Sequence, residues 1–258
     1  MPPPITVTLA IPAAHPLAAA MGGITDHGAA DQPQLAWRDG GVPVSTRFDD
    51  PYFSLAGGLA ETRHVFLDGN DLPARLRPGF HVAELGFGTG LNLLALAQIA
   101  TCPIRYTSFE AFPMAADQLA QAHAAFPDLA PLAWTLRDQW PGPVLRVGQV
   151  EARIIIGDVR QTLPVWDGQA DAWFLDGFSP AKNPEMWGEG LMAQVGAHTA
   201  AGGSFATYTA AGHVRRALAA AGFDVTRRPG FGHKRHMSVG RLAARAGAAA
   251  PSQTRGAD

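Results

Sequence analysis

From residue 80 onward, short runs of apolar residues alternate with longer stretches in which apolar positions recur at helical spacing. That alternation is the signature of βαβ units feeding a parallel sheet. The first strand is expected over 80–85, and the helix after it, 91–99, is apolar on nearly all sides and so should be buried against the sheet. A second strand over 104–109 leads into a helix over 114–125, which Pro127 terminates. A third strand, 153–156, ends in Gly157-Asp158, and a fourth, 172–175, ends in Asp176-Gly177. A helix, a strand over 204–208 and a helix over 212–221 follow, and 223–227 and 236–239 read as two closing strands joined by a Gly-rich turn. This is an α/β pattern: a Rossmann-like sheet of seven strands, mostly parallel, with helices on both faces and the final strand antiparallel. Ahead of the sheet, residues 34–78 carry short strand-like pieces and turn residues, which predicts a small β-containing N-terminal subdomain or flap before a domain over 79–242.

Composition narrows this only a little. The 258 residues, 47% of them hydrophobic, suit one large α/β domain or a domain with a small appendage. A formal net charge of −2 gives no global attraction to nucleic acid, so a polyanion partner must be met by a local basic patch. The single cysteine, Cys102, excludes an internal disulfide framework and a Cys-based zinc site and fits a reducing, cytoplasmic setting. His64, His213, His233 and His236 form no recognisable ligand spacing, so no metal is expected. Residues 1–33 are Ala- and Pro-rich without a basic leader and read as a disordered or loosely packed extension; 243–258 read as a flexible tail. No stretch reaches the roughly 20 apolar residues of a membrane span.

The chemistry concentrates at the expected strand ends, where doubly wound sheets bind ligands. Gly86, Gly88 and Gly90, with Thr89 between the last two, turn the first strand into its helix behind the acidic Glu84. This G-x-G-x-G spacing differs from the G-x-G-x-x-G of dinucleotide sites and favours adenosylmethionine over NAD. Glu110 at the second strand end can accept from both ribose hydroxyls of a nucleoside, and Asp158 at the third from the exocyclic amine of adenine. Each alone also reads as a loop carboxylate or helix cap. Asp176 at the fourth strand end suits an amine acceptor, because a carboxylate orients the nitrogen and stabilises the cation formed on transfer. An alkylamine of pKa near ~10 needs about 4 kcal/mol to expose its lone pair at neutral pH, and a carboxylate near ~3.9 is a weak base for that task unless the pocket desolvates both. Arg215, Arg216, Arg227, Arg228, Lys234 and Arg235 make the local basic cluster. Tyr52, Phe178 and Trp187 are candidates to stack on an unpaired base.

Several stretches together carry a specific resemblance: RFDDPYFS at 47–54, GLAETRHVFL at 58–67 with Gly69-Asn70, the loop at 84–92, 174–187 around Asp176, ATYTAAGHVRR at 206–216 and GFGHKR at 230–235. Over about residues 35–240 the chain resembles the bacterial methyltransferases of 5-methylaminomethyl-2-thiouridine in tRNA, the MnmC N-terminal domain or stand-alone MnmD. The resemblance implies the class I S-adenosylmethionine-dependent methyltransferase fold and methyl transfer to the primary amine of 5-aminomethyl-(2-thio)uridine at the wobble position. With it come expected site residues: Asp176, Phe178 and Pro180 in catalysis, Tyr52, Asn70 and Asn92 added to the cofactor set, and Lys182, Arg215, Arg216, Lys234 and Arg235 toward the tRNA anticodon loop. Bifunctional members add an FAD-dependent oxidase domain, for which a chain stopping at Asp258 leaves no room, so no FAD is expected. His81 stands where the first strand should be apolar. The competing readings are a small-molecule amine methyltransferase, an NAD oxidoreductase and a non-enzymatic RNA-binding module; the set Glu84, Glu110, Asp158 and Asp176 weighs against the last.

Overall fold

The computed structural model describes residues 32–38, 41–54 and 57–243, so the expected extension and tail fall almost wholly outside the described residues. Three short strands come first: β1 (Leu35–Arg38), β2 (Val42–Ser45) and β3 (Asp50–Pro51), an antiparallel sheet of their own. The chain then turns helical, as α1 (Gly58–Thr62) widens into a π-helical stretch (Arg63–Leu67) and tightens into a 3₁₀ turn (Asp68–Asn70). The expected N-terminal β unit is therefore followed by a helical run whose Val65, Phe66 and Leu67 are buried in the main core.

The large sheet starts with β4 (His81–Leu85), every residue of which is buried, as a central parallel strand covered on both faces must be. It is followed by α2 (Leu91–Ile99), β5 (Ile104–Glu110), α3 (Ala116–His123), α4 (Ala130–Gln139), β6 (Leu145–Val147), β7 (Val150–Ile156) and α5 (Val159–Thr162). Next come β8 (Ala170–Leu175), α6 (Glu189–Ala197), β9 (Thr199–Thr207), α7 (Gly212–Ala220), β10 (Phe223–Pro229) and β11 (His236–Leu242). The strand order is β10-β11-β9-β8-β4-β5-β7-β6. β11 runs antiparallel to both neighbours, as the closing hairpin required. The sheet has eight strands among the described residues rather than the expected seven, because the edge strand β6 folds back on β7 as an antiparallel hairpin. Helix α4 also went unforeseen; its Pro131 sits in the first turn, where proline is tolerated.

Side chains alternate along the strands and divide the core in two. Val82, Ala172 and Phe174 face α2, α3 and α4, whereas Ala83, Leu85, Trp173 and Leu175 face α5, α6 and α7. Helix α7 shows the pattern that fixes such a layer: Val214, Ala217 and Leu218 are buried at helical spacing while Arg216 points to solvent. Asn70, fully buried, ties the 3₁₀ turn to the sheet. Its Nδ2 donates to Phe66 O at 3.0 Å and Trp173 O at 3.2 Å, and its Oδ1 accepts from Ser204 Oγ at 2.5 Å. Arg75 adds donations to Asn70 O and Asp171 O, completing a polar knot under the sheet.

Replacing Asn70 by Ala removes its bonds to two backbone carbonyls and one to Ser204, whose hydroxyl keeps Arg75; each buried group left unpaired costs about 1–3 kcal/mol. Asn70→Ala is expected to lower the urea midpoint by several kcal/mol equivalent of stability while the folded fraction binds adenosylhomocysteine as the native chain does; titration calorimetry after denaturant melts checks both.

Candidate functional site

The carboxyl ends of the parallel strands open into a cavity of about 900 Å³. Its wall takes in the loop after β4 at Gly86, Gly88 and Thr89, then Asn92, Glu110 and Phe112, Asp158 and Arg160, the loop after β8 from Asp176 to Ser179, and Tyr208 and Lys234. The N-terminal unit supplies Phe48, Asp50 and Tyr52, and α1 supplies Glu61 and Thr62.

The glycine loop needs its glycines for backbone shape and for space. Gly88 has φ 54, and a Cβ there would approach the Tyr52 ring at 3.1 Å; Gly90, at φ 73, caps α2, and a Cβ there would strike Phe87 at 2.8 Å. Glu110 is spanned by this loop: Oε2 accepts from Gly88 N and Oε1 from Phe112 N, both at 2.8 Å. Burial raises its pKa, and those backbone donors pull it back. Glu110 lines the cavity, where a carboxylate is the group to accept from a ribose diol.

Asp176 on the wall is paired with Glu84 behind it. Glu84, fully buried, accepts from Ser108 Oγ at 2.6 Å and from Asn92 Nδ2 at 2.8 Å, and the same Nδ2 reaches Asp176 Oδ2 at 2.8 Å. Thr62 Oγ1 donates to Asn92 Oδ1 at 3.0 Å, so the amide cannot flip without losing all three bonds. Burial pushes Glu84 up to about 8, with Asp176 adding to the rise. Burial likewise pushes Asp176 up to about 6, against the pull of the Gly177 N–H, Asn92 and Lys234.

Asp158 caps α5, its Oδ1 accepting from Arg160 N, and Arg160 also pairs with Glu185. Around the mouth, Phe178 stacks on Phe48 at 4.6 Å between centroids and meets Tyr52 edge-on at 5.0 Å. Lys182 binds Asp49 and Asp50, and Ser179 N donates to Asp50 Oδ2 at 2.8 Å, so the small sheet is clipped onto the loop after β8.

Of the residues expected in the cofactor set, the structure brings Tyr52, Gly86, Gly88, Thr89, Asn92, Glu110, Asp158 and Asp176 together on the wall. Glu84 and Gly90 stand behind it. Asn70 is elsewhere: its amide is consumed by Phe66, Trp173 and Ser204, which corrects its placement as a ligand contact. Phe178 lines the cavity, but the wall passes Pro180 by. Trp187 is a core residue, 1% exposed, donating its indole N–H to Phe178 O, and is not free to stack on a base. Arg216 and Arg235 are exposed, whereas Arg215 is half-buried and donates to Ala210 O. Lys182 and Lys234 face the cavity and are paired with acids. Sequence reasoning missed Glu61, Asp50, Phe48 and Phe112 as wall residues; the first three lie within motifs it had singled out.

The cavity is acidic where a dinucleotide site would need positive charge. The cations on its wall are engaged: Arg160 by Asp158 and Glu185, Lys182 by Asp49 and Asp50, Lys234 by Glu61, and Arg47 over the Phe112 ring at 4.7 Å. A ligand carrying an ammonium and a sulfonium complements the acids on this wall. Sheet order, glycine loop and acidic wall together define a class I S-adenosylmethionine-dependent methyltransferase.

Comparison with known proteins agrees. Residues 129–243 match the family described as S-adenosyl-L-methionine-dependent methyltransferase. The chain is 48% identical over 221 residues to the tRNA 5-methylaminomethyl-2-thiouridine biosynthesis bifunctional protein MnmC of Caulobacter sp. (strain K31), covering 78% of this chain and 37% of that one. It is 47% identical over 228 residues to the MnmC of Chromobacterium violaceum, covering 81% and 34%. The chain thus spans about a third of the length of these curated relatives. The crystal structure of MNMC2 from Aquifex aeolicus shares the fold, with a TM-score of 0.67 at 24% identity over 84% of this chain and 72% of that one. The chain belongs to the methyltransferase family represented by the matched part of MnmC. No helix among the described residues is long and apolar enough to cross a membrane.

Two outcomes follow for the buried acids. Glu84 and Asp176 have folded pKa values above the ~4 of unfolded carboxylates, so their contribution to stability is present below that value and is lost as pH rises through about 6 and then about 8. Glu84→Gln should flatten the decline in the urea midpoint of ligand-free protein between pH 5 and 8.5; an unaltered decline would refute the neutral buried Glu84. Glu110→Ala should weaken adenosylhomocysteine binding by at least roughly tenfold, the loss of about 1.4 kcal/mol, as read by calorimetry on folded protein.

Proposed function

We propose that this chain methylates the primary amine of 5-aminomethyl-(2-thio)uridine at the tRNA wobble position, giving 5-methylaminomethyl-(2-thio)uridine, in the cytoplasm. The observation that carries the reading is Asp176: a half-buried carboxylate at the end of β8, on the cavity wall that Phe178 and Tyr52 also line. The choice of acceptor is supported by the 48% and 47% identical relatives, which are 5-methylaminomethyl-2-thiouridine biosynthesis proteins.

S-adenosylmethionine supplies the electrophilic methyl group, and the acceptor nitrogen must present a lone pair to it. Asp176 holds that nitrogen and takes its proton. Its pKa of about 6 narrows the gap to the amine from both the carboxylate's side and, through the same desolvation, the amine's. Asn92 and the Gly177 N–H fix the carboxylate by two hydrogen bonds at 2.8 Å, so it does not swing away as charge shifts. Phe178, between Phe48 and Tyr52, offers an aromatic face to an unstacked uracil, as single-stranded RNA readers do. The exposed Arg216, Arg227 and Arg235 lie on α7 and the β10–β11 hairpin, whose connecting loop contributes His233 and Lys234 to the wall. This is the surface proposed to meet tRNA phosphates, with Arg215 in a supporting place.

The test is methyl transfer from labelled S-adenosylmethionine to tRNA from cells lacking this modification step, followed by nucleoside analysis. Appearance of the 5-methylaminomethyl nucleoside supports the proposal, and its absence alongside tight adenosylhomocysteine binding rejects the acceptor. Asp176→Ala is expected to keep adenosylhomocysteine affinity within about threefold and cut turnover by at least about a hundredfold, a loss of order 2.7 kcal/mol of transition-state stabilisation. In the native enzyme kcat/KM should fall as pH drops through about 6, where Asp176 becomes protonated.

A further inference from the structure

The loop between β10 and β11 brings Lys234 to the acceptor end of the cavity, where its ammonium meets three groups. Nζ lies 2.7 Å from Glu61 Oε1 and 4.2 Å from the centroid of the Tyr208 ring, and its charge acts on Asp176. Glu61 comes from α1, is only 12% exposed at its side chain and stands on the cavity wall. Tyr208 donates its hydroxyl to Gly177 O at 2.8 Å, which fixes the ring with its face toward the ammonium. A covered carboxylate, an aromatic face and a second carboxylate are the parts that recognise a primary alkylammonium. A lysine side chain is such an ammonium on a tether.

We infer that Glu61 is a second carboxylate of the acceptor site, positioning the substrate's ammonium beside Asp176, and that Lys234 occupies this place until substrate displaces it. The inference rests on the primary-amine acceptor proposed above. The pair is asymmetric in the way displacement requires: Lys234 is 46% exposed while Glu61 is covered. Removing Lys234 alone would leave Glu61 an unpaired carboxylate in a partly desolvated site, but exchange for another ammonium keeps the charge matched. Phe231 to Arg235 lie outside the core, and nothing stands within 4 Å of the Cβ position at Gly232, so the Lys234 side chain has solvent to move into. Lys234 thereby excludes small cations from a vacant acceptor site and sets a threshold for its occupant.

The test measures methyl transfer to, and binding of, tRNA that carries the aminomethyl group, with tRNA bearing plain uridine at that position as the binding control. Glu61→Gln should raise KM for the aminomethyl tRNA at least tenfold, with adenosylhomocysteine affinity and binding of the plain-uridine tRNA unchanged. Lys234→Met should lower that KM two- to tenfold by removing the competitor. An unchanged KM in Glu61→Gln overturns the inference; so does weaker binding of both tRNAs by Lys234→Met, which would make Lys234 a phosphate contact. If Glu61→Gln does not fold, Lys234→Met decides alone, since KM must then fall. Native enzyme that transfers no methyl group to any tRNA rejects the acceptor reading itself, whatever the variants do.

Discussion

One amide holds two acids, one buried and one on the cavity wall. Glu84 and Asp176 end up within reach of a single nitrogen, Asn92 Nδ2, because β4 and β8 are adjacent parallel strands and α2 starts directly above them. Burying two carboxylates side by side is costly unless each is hydrogen-bonded and at least one stays neutral. The structure meets both conditions through Ser108, Asn92 and Thr62 and through the raised pKa of Glu84. The end of the sheet is therefore built as one hydrogen-bonded unit running from α1 through α2 to the loop after β8. A shift of Asp176 therefore pulls on Asn92, at the start of the helix that follows the glycine loop.

That unit leaves acidic groups on the cavity wall. Its own cations are spent on its own acids at the mouth, while Glu110 and Asp176 are held by backbone N–H groups and the Asn92 amide. Neutral donors orient a carboxylate without cancelling its charge, so the field inside remains available to a ligand that brings cations with it. The same arrangement keeps Asp176 a better proton acceptor than an exposed aspartate, since burial raises its pKa.

The parallel sheet was readable because its central strands are covered on both faces, so that 172–175 is an unbroken apolar run and 81–85 departs from one only at His81 and Glu84. Edge positions were not: β6 has three residues, and β7 alternates exposed Glu151 and Arg153 with buried partners, so its first half gives no apolar run. Among site residues, the strand-end acids were legible because their position depends only on where a strand stops. Asn70 was not, since a motif marks an amide as needed without showing whether backbone or ligand needs it, and its partners Trp173 and Ser204 lie more than a hundred residues away in the chain. Lys234 sits in a basic run that reads as a phosphate surface; only the fold brings Glu61 against it and turns it inward.

The cavity wall is assembled from segments scattered between Arg47 and Lys234, so most of the chain must be in place before any ligand can be held. A nucleoside bound there acts as a ligature, adding RT ln(1 + [L]/Kd) to the cohesion of the whole domain rather than of one loop. Cellular supply of the methyl donor then bears on how long each molecule survives proteolysis as well as on how fast it works, and a starved cell would thin its stock of the enzyme without any dedicated signal.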